Sequence, residues 1–175
     1  MTIDAWTKEV NRLLDEATRI DFGYPIGSNV LLLPDAPTVV ETALRHVELD
    51  TILSLRSFYS QCGGIKWPGI RNGYFLFRAT ELARSDPENV PDSVTGPYAD
   101  NIVVVGSSGG GDMFAIAKKS MAILHLPPGP MCSGKYEDEA RAVRLLAPDF
   151  SSLLQLLLDD LAAFVRDVPK HKFIV

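Results

Sequence analysis

Gly106, Ser108 and Gly110 stand in G-x-S-x-G spacing within the stretch VVVGSSGGGDMFAIA, residues 103 to 117. In serine hydrolases that spacing lifts a serine onto a strained turn, where its hydroxyl can attack a carbonyl carbon. The serine then needs a histidine to take its proton and a carboxylate to orient that histidine, following it in the order acid, then histidine. Of the three histidines, His46 lies upstream of Ser108 and His171 sits in a basic tail. His125 does follow Asp112, but as part of the next expected strand. No His-Gly oxyanion motif is present, and few strands precede Ser108 for a hydrolase sheet.

A phosphate cradle is the second chemistry open to these glycines. A P-loop needs a lysine and a serine or threonine directly after its last glycine, to reach the phosphates and the magnesium. Here Asp112 and Met113 follow Gly111, and a carboxylate at that point repels phosphate. The dinucleotide fingerprint fails on spacing, because Gly106 is followed by two serines and then three glycines. A third reading is a turn between two strands, since consecutive glycines accept positive φ without steric cost. Met113 to Ile116 then form the return strand and Lys118 to Ser120 the next reversal. Met113, Ile116, Ala117 and Met121 also lie near helical spacing, so pattern alone leaves a helix open there.

The surrounding elements must position this stretch. Trp6, Val10, Leu13, Leu14 and Ala17 recur at three- and four-residue steps and predict an amphipathic helix over 4–20. Val30 to Leu33 reads as a short strand and TVVETALRHVE as a helix. In LDTILSLRSFYSQCGG, Leu49, Ile52, Leu53, Tyr59 and Cys62 share a helical face, and Gly63 and Gly64 read as its stop. YFLF at 74–77, NIVVVG and MAILHL are expected strands, and residues 84 to 100 an exposed, irregular excursion. PPGPMCSGKYEDEA reads as a loop whose Glu137, Asp138 and Glu139 face solvent. Phe150, Leu153, Leu154, Leu157, Leu161, Phe164 and Val165 predict a final helix, with Asp149 or Ser151 at its N-cap and Asp159 and Asp160 on its solvated face. Helices at both ends around a strand-rich middle make an α+β plan in a single domain, 1–175.

Composition narrows the function classes. The chain has 175 residues, 46% hydrophobic and 22% charged, as expected of a globular protein with a full core. Its net charge of −5 argues against direct nucleic-acid binding, which needs a basic face. Cys62 and Cys132 form no C-x-x-C pair, so neither a disulfide framework nor a thiolate zinc site is expected. The acidic N-terminus carries no signal pattern, and LLQLLLDDLAAF is too short to span a bilayer. The expectation is a cytoplasmic protein with no metal, no cofactor and no membrane anchor.

VVVGSSGGGDMFAI resembles the glycine-rich signature of the SMI1/KNR4 (SUKH) superfamily, in which G-x-x-G-G-G-D precedes an aromatic or apolar strand. SLRSFYSQCGG is similar to that family's first conserved helix and DFSSLLQLLLDDL to its terminal helix, so the resemblance spans roughly 45–165. Cys62 stands where an asparagine is usual, and Ala117 where an aspartate often closes the return strand. The resemblance implies a central, mostly antiparallel sheet flanked by the N- and C-terminal helices. It implies a non-catalytic immunity protein that binds and neutralises a cognate protein toxin. Gly106, Gly109, Gly110, Gly111 and Asp112 would be structural, with Asp112 hydrogen-bonding inside the turn. Trp67, expected on a loop beside Pro68, is the candidate partner contact. Two other classes remain open: a regulatory or scaffolding module without a toxin partner, and a serine esterase acting through Ser108.

Overall fold

The computed structural model describes residues 1–49, 52–83, 86 and 88–174. Residues 50 and 51 of the expected second-quarter helix segment, and 84, 85 and 87 of the excursion, lie outside them. Five α-helices and ten strands occur among the described residues, in an α+β arrangement. Helix α1 spans Ile3–Ala17, where Thr2 caps the N-terminus by accepting from the Ala5 amide. Its apolar stripe is the expected one: Trp6, Val10, Leu13, Leu14 and Ala17 are all buried. Helix α5, Phe150–Val165, lies against α1, and the Trp6 indole donates to the Leu154 carbonyl at 2.7 Å. Asp149, not Ser151, is the α5 N-cap; its carboxylate accepts from the Ser152 amide at 2.7 Å.

Strands β1 (Val30–Leu32), β2 (Gly64–Trp67), β3 (Tyr74–Leu76), β5 (Asp100–Ser108), β6 (Met113–Ala117), β7 (Ile123–Leu126) and β10 (Arg144–Ala147) form the main sheet in the order β1-β2-β3-β5-β6-β7-β10. Every neighbouring pair in it is antiparallel. The return segment after the glycines is therefore strand β6, and the helical alternative does not form. Strand β5 organises the sheet. It pairs with β6 along Ile102 to Ser107 on one edge. Its other edge is divided: Gly106 to Ser108 pair with β3, and Asp100 and Asn101 with β4 (Ser93–Val94).

That division explains why β5 reads as an unbroken apolar run. Val103 and Val105 point into the core beneath α1, α3 (Leu53–Tyr59) and α5. Ile102 and Val104 enter a second core on the opposite face, with Ala115, Leu124, Leu126, Tyr136 and Val143. A strand covered on both faces loses the polar alternation of a half-exposed one.

The second core is closed by elements the sequence does not announce. Within the supposed exposed excursion, Val94 of β4 is buried, and β4 pairs in parallel with β9 (Lys135–Tyr136), which pairs with β8 (Met131–Cys132). Asp138 is not on a solvated face. It is 5% exposed, and its Oδ1 accepts from the Ala142 and Val143 amides at 2.7 and 3.2 Å. Glu137 is half-buried and Glu139 exposed.

Gly63 and Gly64 do not form the helix stop that the sequence pattern predicts. Helix α3 ends at Tyr59 with Ser60 as its cap, and Gly64 already belongs to β2. The glycines serve close approach instead. A Cβ on Gly63 would lie 2.1 Å from the Leu33 carbonyl oxygen, and one on Gly64 2.5 Å from that of Leu76. Cys62, just before them, is 1% exposed and donates its thiol to the Gly64 carbonyl at 3.1 Å. Burial pushes that thiol up to about 11, so it stays protonated and inert, whereas Cys132 is exposed. With Ellman's reagent at neutral pH the folded chain should release one equivalent, from Cys132, and a second only on unfolding. Two immediate equivalents would contradict this placement of Cys62.

Candidate functional site: the glycine turn

The turn between β5 and β6 is closed at its base by the backbone: the Ser108 amide donates to the Asp112 carbonyl at 2.9 Å. Gly111 takes φ +91°, which a side chain would strain. Gly109 and Gly106 are set by crowding. A Cβ would meet the Asn72 carbonyl oxygen at 2.1 Å in the first case and that of Phe75 at 2.2 Å in the second. A Cβ on Gly110 would make ordinary contact with Asp112 Oδ2 and Ser108 Oγ, each 3.4 Å away, and the Gly110 amide donates to Ser108 Oγ at 3.1 Å.

The Ser108 hydroxyl, on a residue 5% exposed, is fully engaged. It donates to Asp112 Oδ2 at 2.7 Å and accepts from the Gly110 and Asp112 amides at 3.1 and 3.2 Å. A hydroxyl has one proton and two lone pairs, and all three are used. Asp112 then turns its other oxygen to His125, whose Nε2 lies 2.9 Å from Oδ1. The chain of contacts is serine, aspartate, histidine, with the carboxylate in the middle. In a hydrolytic triad the imidazole occupies the middle, so that it can take the serine proton. Here His125 is on the far side of Asp112 from Ser108.

His125 sits on β7, opposite Phe114 of β6 and Arg144 of β10. Burial pushes its imidazole below the ordinary value, and the Arg144 charge adds to this; Asp112 pulls the other way and only partly offsets them. The neutral ring therefore donates from Nε2 to Asp112. Its Nδ1 is then a buried acceptor without a hydrogen-bond partner.

The remaining sequence candidates fall elsewhere. His46 is exposed at the end of α2 (Pro37–His46). Trp67 is not a loop residue and offers no contact surface. It lies on β2, is 0% exposed, and stacks on Trp6 with ring centroids 6.5 Å apart. Asp159 is exposed, but Asp160 is buried, with 2% of its surface accessible. It belongs to a second polar cluster that sequence reasoning missed. Asp160 accepts from Tyr74 Oη at 2.5 Å and from the Ile174 amide at 2.9 Å, and lies 2.7 Å from His171 Nε2. The signal was its spacing: Asp160 follows Leu153 and Leu157 at core intervals, and only its residue type spoke for solvent.

Among the described residues no group of three or more His, Cys, Asp or Glu could hold a metal ion, and no helix is long and apolar enough to cross a membrane. No protein-family model matches the chain, and no curated protein matches it.

Proposed function

We propose that the protein is a non-catalytic binder of the immunity type, which neutralises a cognate protein toxin in the cytoplasm by direct contact and needs no cofactor. The observation that carries its non-catalytic half is the saturated Ser108 hydroxyl, which gives its proton to Asp112 and its lone pairs to two turn amides. Among the described residues, the partners of the hydroxyl all belong to its own turn and no imidazole is hydrogen-bonded to it, and it holds the turn shut. The immunity half draws on the resemblance of the G-x-x-G-G-G-D stretch to the SUKH signature. It is supported by the setting of that stretch, a tight turn between two central antiparallel strands flanked by the terminal helices. The net charge of −5 suits a basic toxin, whose approach it would steer.

Two experiments test the halves separately. A fluorophosphonate probe should leave Ser108 unlabelled; labelling that Ser108→Ala abolishes would establish an esterase instead. Expressing the adjacent open reading frame alone should arrest bacterial growth, and co-expression with this chain should restore it. A toxic neighbour that is not relieved would overturn that pairing. An unlabelled Ser108 together with a harmless neighbour would favour the regulatory or scaffolding alternative.

A further inference from the structure

The chain beyond α5 folds back on itself, and its last described residues are held through side-chain groups and the packing of Ile174 into the main core. Arg166 caps the helix, Asp167 takes φ +47°, and the Val168 amide donates to the Ala163 carbonyl at 3.0 Å, reversing the direction of the chain. Lys170 takes φ +63°, a second left-handed residue that is not glycine. Residues 166 to 170 are all exposed. Of the next four residues, His171, Phe173 and Ile174 are anchored, and Lys172 is exposed. His171 and the Ile174 amide meet the two oxygens of Asp160, and Tyr74 Oη shares one of them. The Ile174 carbonyl accepts from Arg144 Nη2 at 2.9 Å. Arg71 lies over the Phe173 ring, 4.1 Å from its centroid, and His171 meets that ring edge-on at 4.6 Å. Among the described residues, no main-chain to main-chain hydrogen bond holds 172 to 174.

This arrangement is that of a ligand in a site. Ile174 is read as a peptide unit, its N–H by a buried carboxylate and its C=O by a guanidinium, while its side chain is 7% exposed. The aromatic residue before it is held by a cation against its face. Main-chain contacts of this kind accept any extended segment, and the side-chain positions select among them. Beside the strap a cavity of about 540 Å³ remains, lined by Phe22, Tyr24, Arg71, Phe164, His171 and Phe173. The strap leaves that space unfilled.

We infer that Asp160, Tyr74, Arg144 and Arg71 form a peptide-binding site occupied in cis by residues 171–174. An extended segment of another polypeptide, carrying an aromatic residue followed by an aliphatic one, displaces them. Arg144 brings this site beside His125 of the glycine turn, but the peptide contacts themselves involve no residue of that turn, and the inference stands whether or not the partner is a toxin.

The test uses the full chain and a fluorescein-labelled, end-blocked peptide of residues 169–174. In the unchanged protein the strap competes, and the apparent affinity is reduced by the fraction of molecules with the site open. The double variant Phe173→Ala/Ile174→Ala weakens the strap and leaves the site residues in place. It should bind the peptide at least about tenfold more tightly by anisotropy, and adding Arg144→Gln should abolish the gain. Equal binding by both chains, or a gain that survives Arg144→Gln, would overturn the inference. Should the double variant fail to fold, amide exchange in the unchanged chain decides. The Ile174 amide should exchange at least about a hundredfold faster than those of Leu157 and Leu161, because it is released by local opening. Exchange at the global unfolding rate would mean that the strap is an inseparable part of the core.

Discussion

Replacing Trp67 with alanine should cost about 3–5 kcal/mol of folding stability. The indole is fully buried at the junction of the sheet with the helices. It stacks on Trp6 of α1, and Trp6 meets Phe58 of α3 edge-on with centroids 5.9 Å apart. Phe58 in turn meets Phe150 of α5 at 5.4 Å. Removing Trp67 opens a cavity beside Trp6, at one end of an aromatic ladder whose packing against the helices keeps it from collapsing to fill the space. A domain of this size has a total stability of about 5–15 kcal/mol, so the loss is a large fraction of it. Trp67→Phe should cost much less. The ring contact is kept, and the indole N–H, a buried donor without a hydrogen-bond partner, is removed along with its desolvation penalty. Urea unfolding of the two variants checks the order. In a toxin-rescue assay Trp67→Ala would lose protection through reduced abundance, with no interface touched. A variant of wild-type stability that failed to bind would instead return Trp67 to the surface.

What was legible in the chain followed its periodicities. The stripe of α1 is legible residue by residue and that of α5 in its main row, because each helix buries a continuous apolar face at three- and four-residue steps. The apolar runs of β5, β6 and β7 were equally plain, since both faces of these strands are covered. Two-residue strands such as β8 and β9 have no period to detect, and they persist because Tyr136 is buried and Asp138 ties down the following loop. Strand β10 carries an arginine and an exposed leucine at the edge of the sheet, and no alternation marks it. Gly63 and Gly64 misled because a helix stop and a point of backbone crowding demand the same residue. The polar clusters were hidden by distance along the chain. Tyr74 is 86 residues from Asp160, and the Ser108, Asp112 and His125 contacts form only when β7 closes against β6.

Asp112→Ala should be the most costly change in the turn, at about 2–4 kcal/mol, because two buried donors lose their acceptor together. The Ser108 hydroxyl would retain the two amides that donate to it but have nowhere to place its proton. His125 would be left buried with both ring nitrogens unpartnered. Asp112→Asn keeps one acceptor oxygen and should lose less. The same contact sets the response to acid. The folded chain holds His125 neutral, its imidazole below the ordinary value through burial and the nearby Arg144 charge. The unfolded chain binds a proton there near the reference value of about 6.5. Below that pH the unfolded state therefore carries more protons, and stability falls as pH drops from about 6.5 toward the lower folded-state value. Protonation in place would create an Nδ1–H donor with no acceptor, beside a cation. Urea midpoints between about pH 5 and pH 8 should show this decline in the unchanged chain. His125→Gln, which cannot titrate, should flatten it, and a slope unchanged by that substitution would assign the acid sensitivity to another group. In Asp112→Ala the decline should persist at lower overall stability, because the carboxylate that partly favours the imidazolium is gone while the burial that opposes it remains.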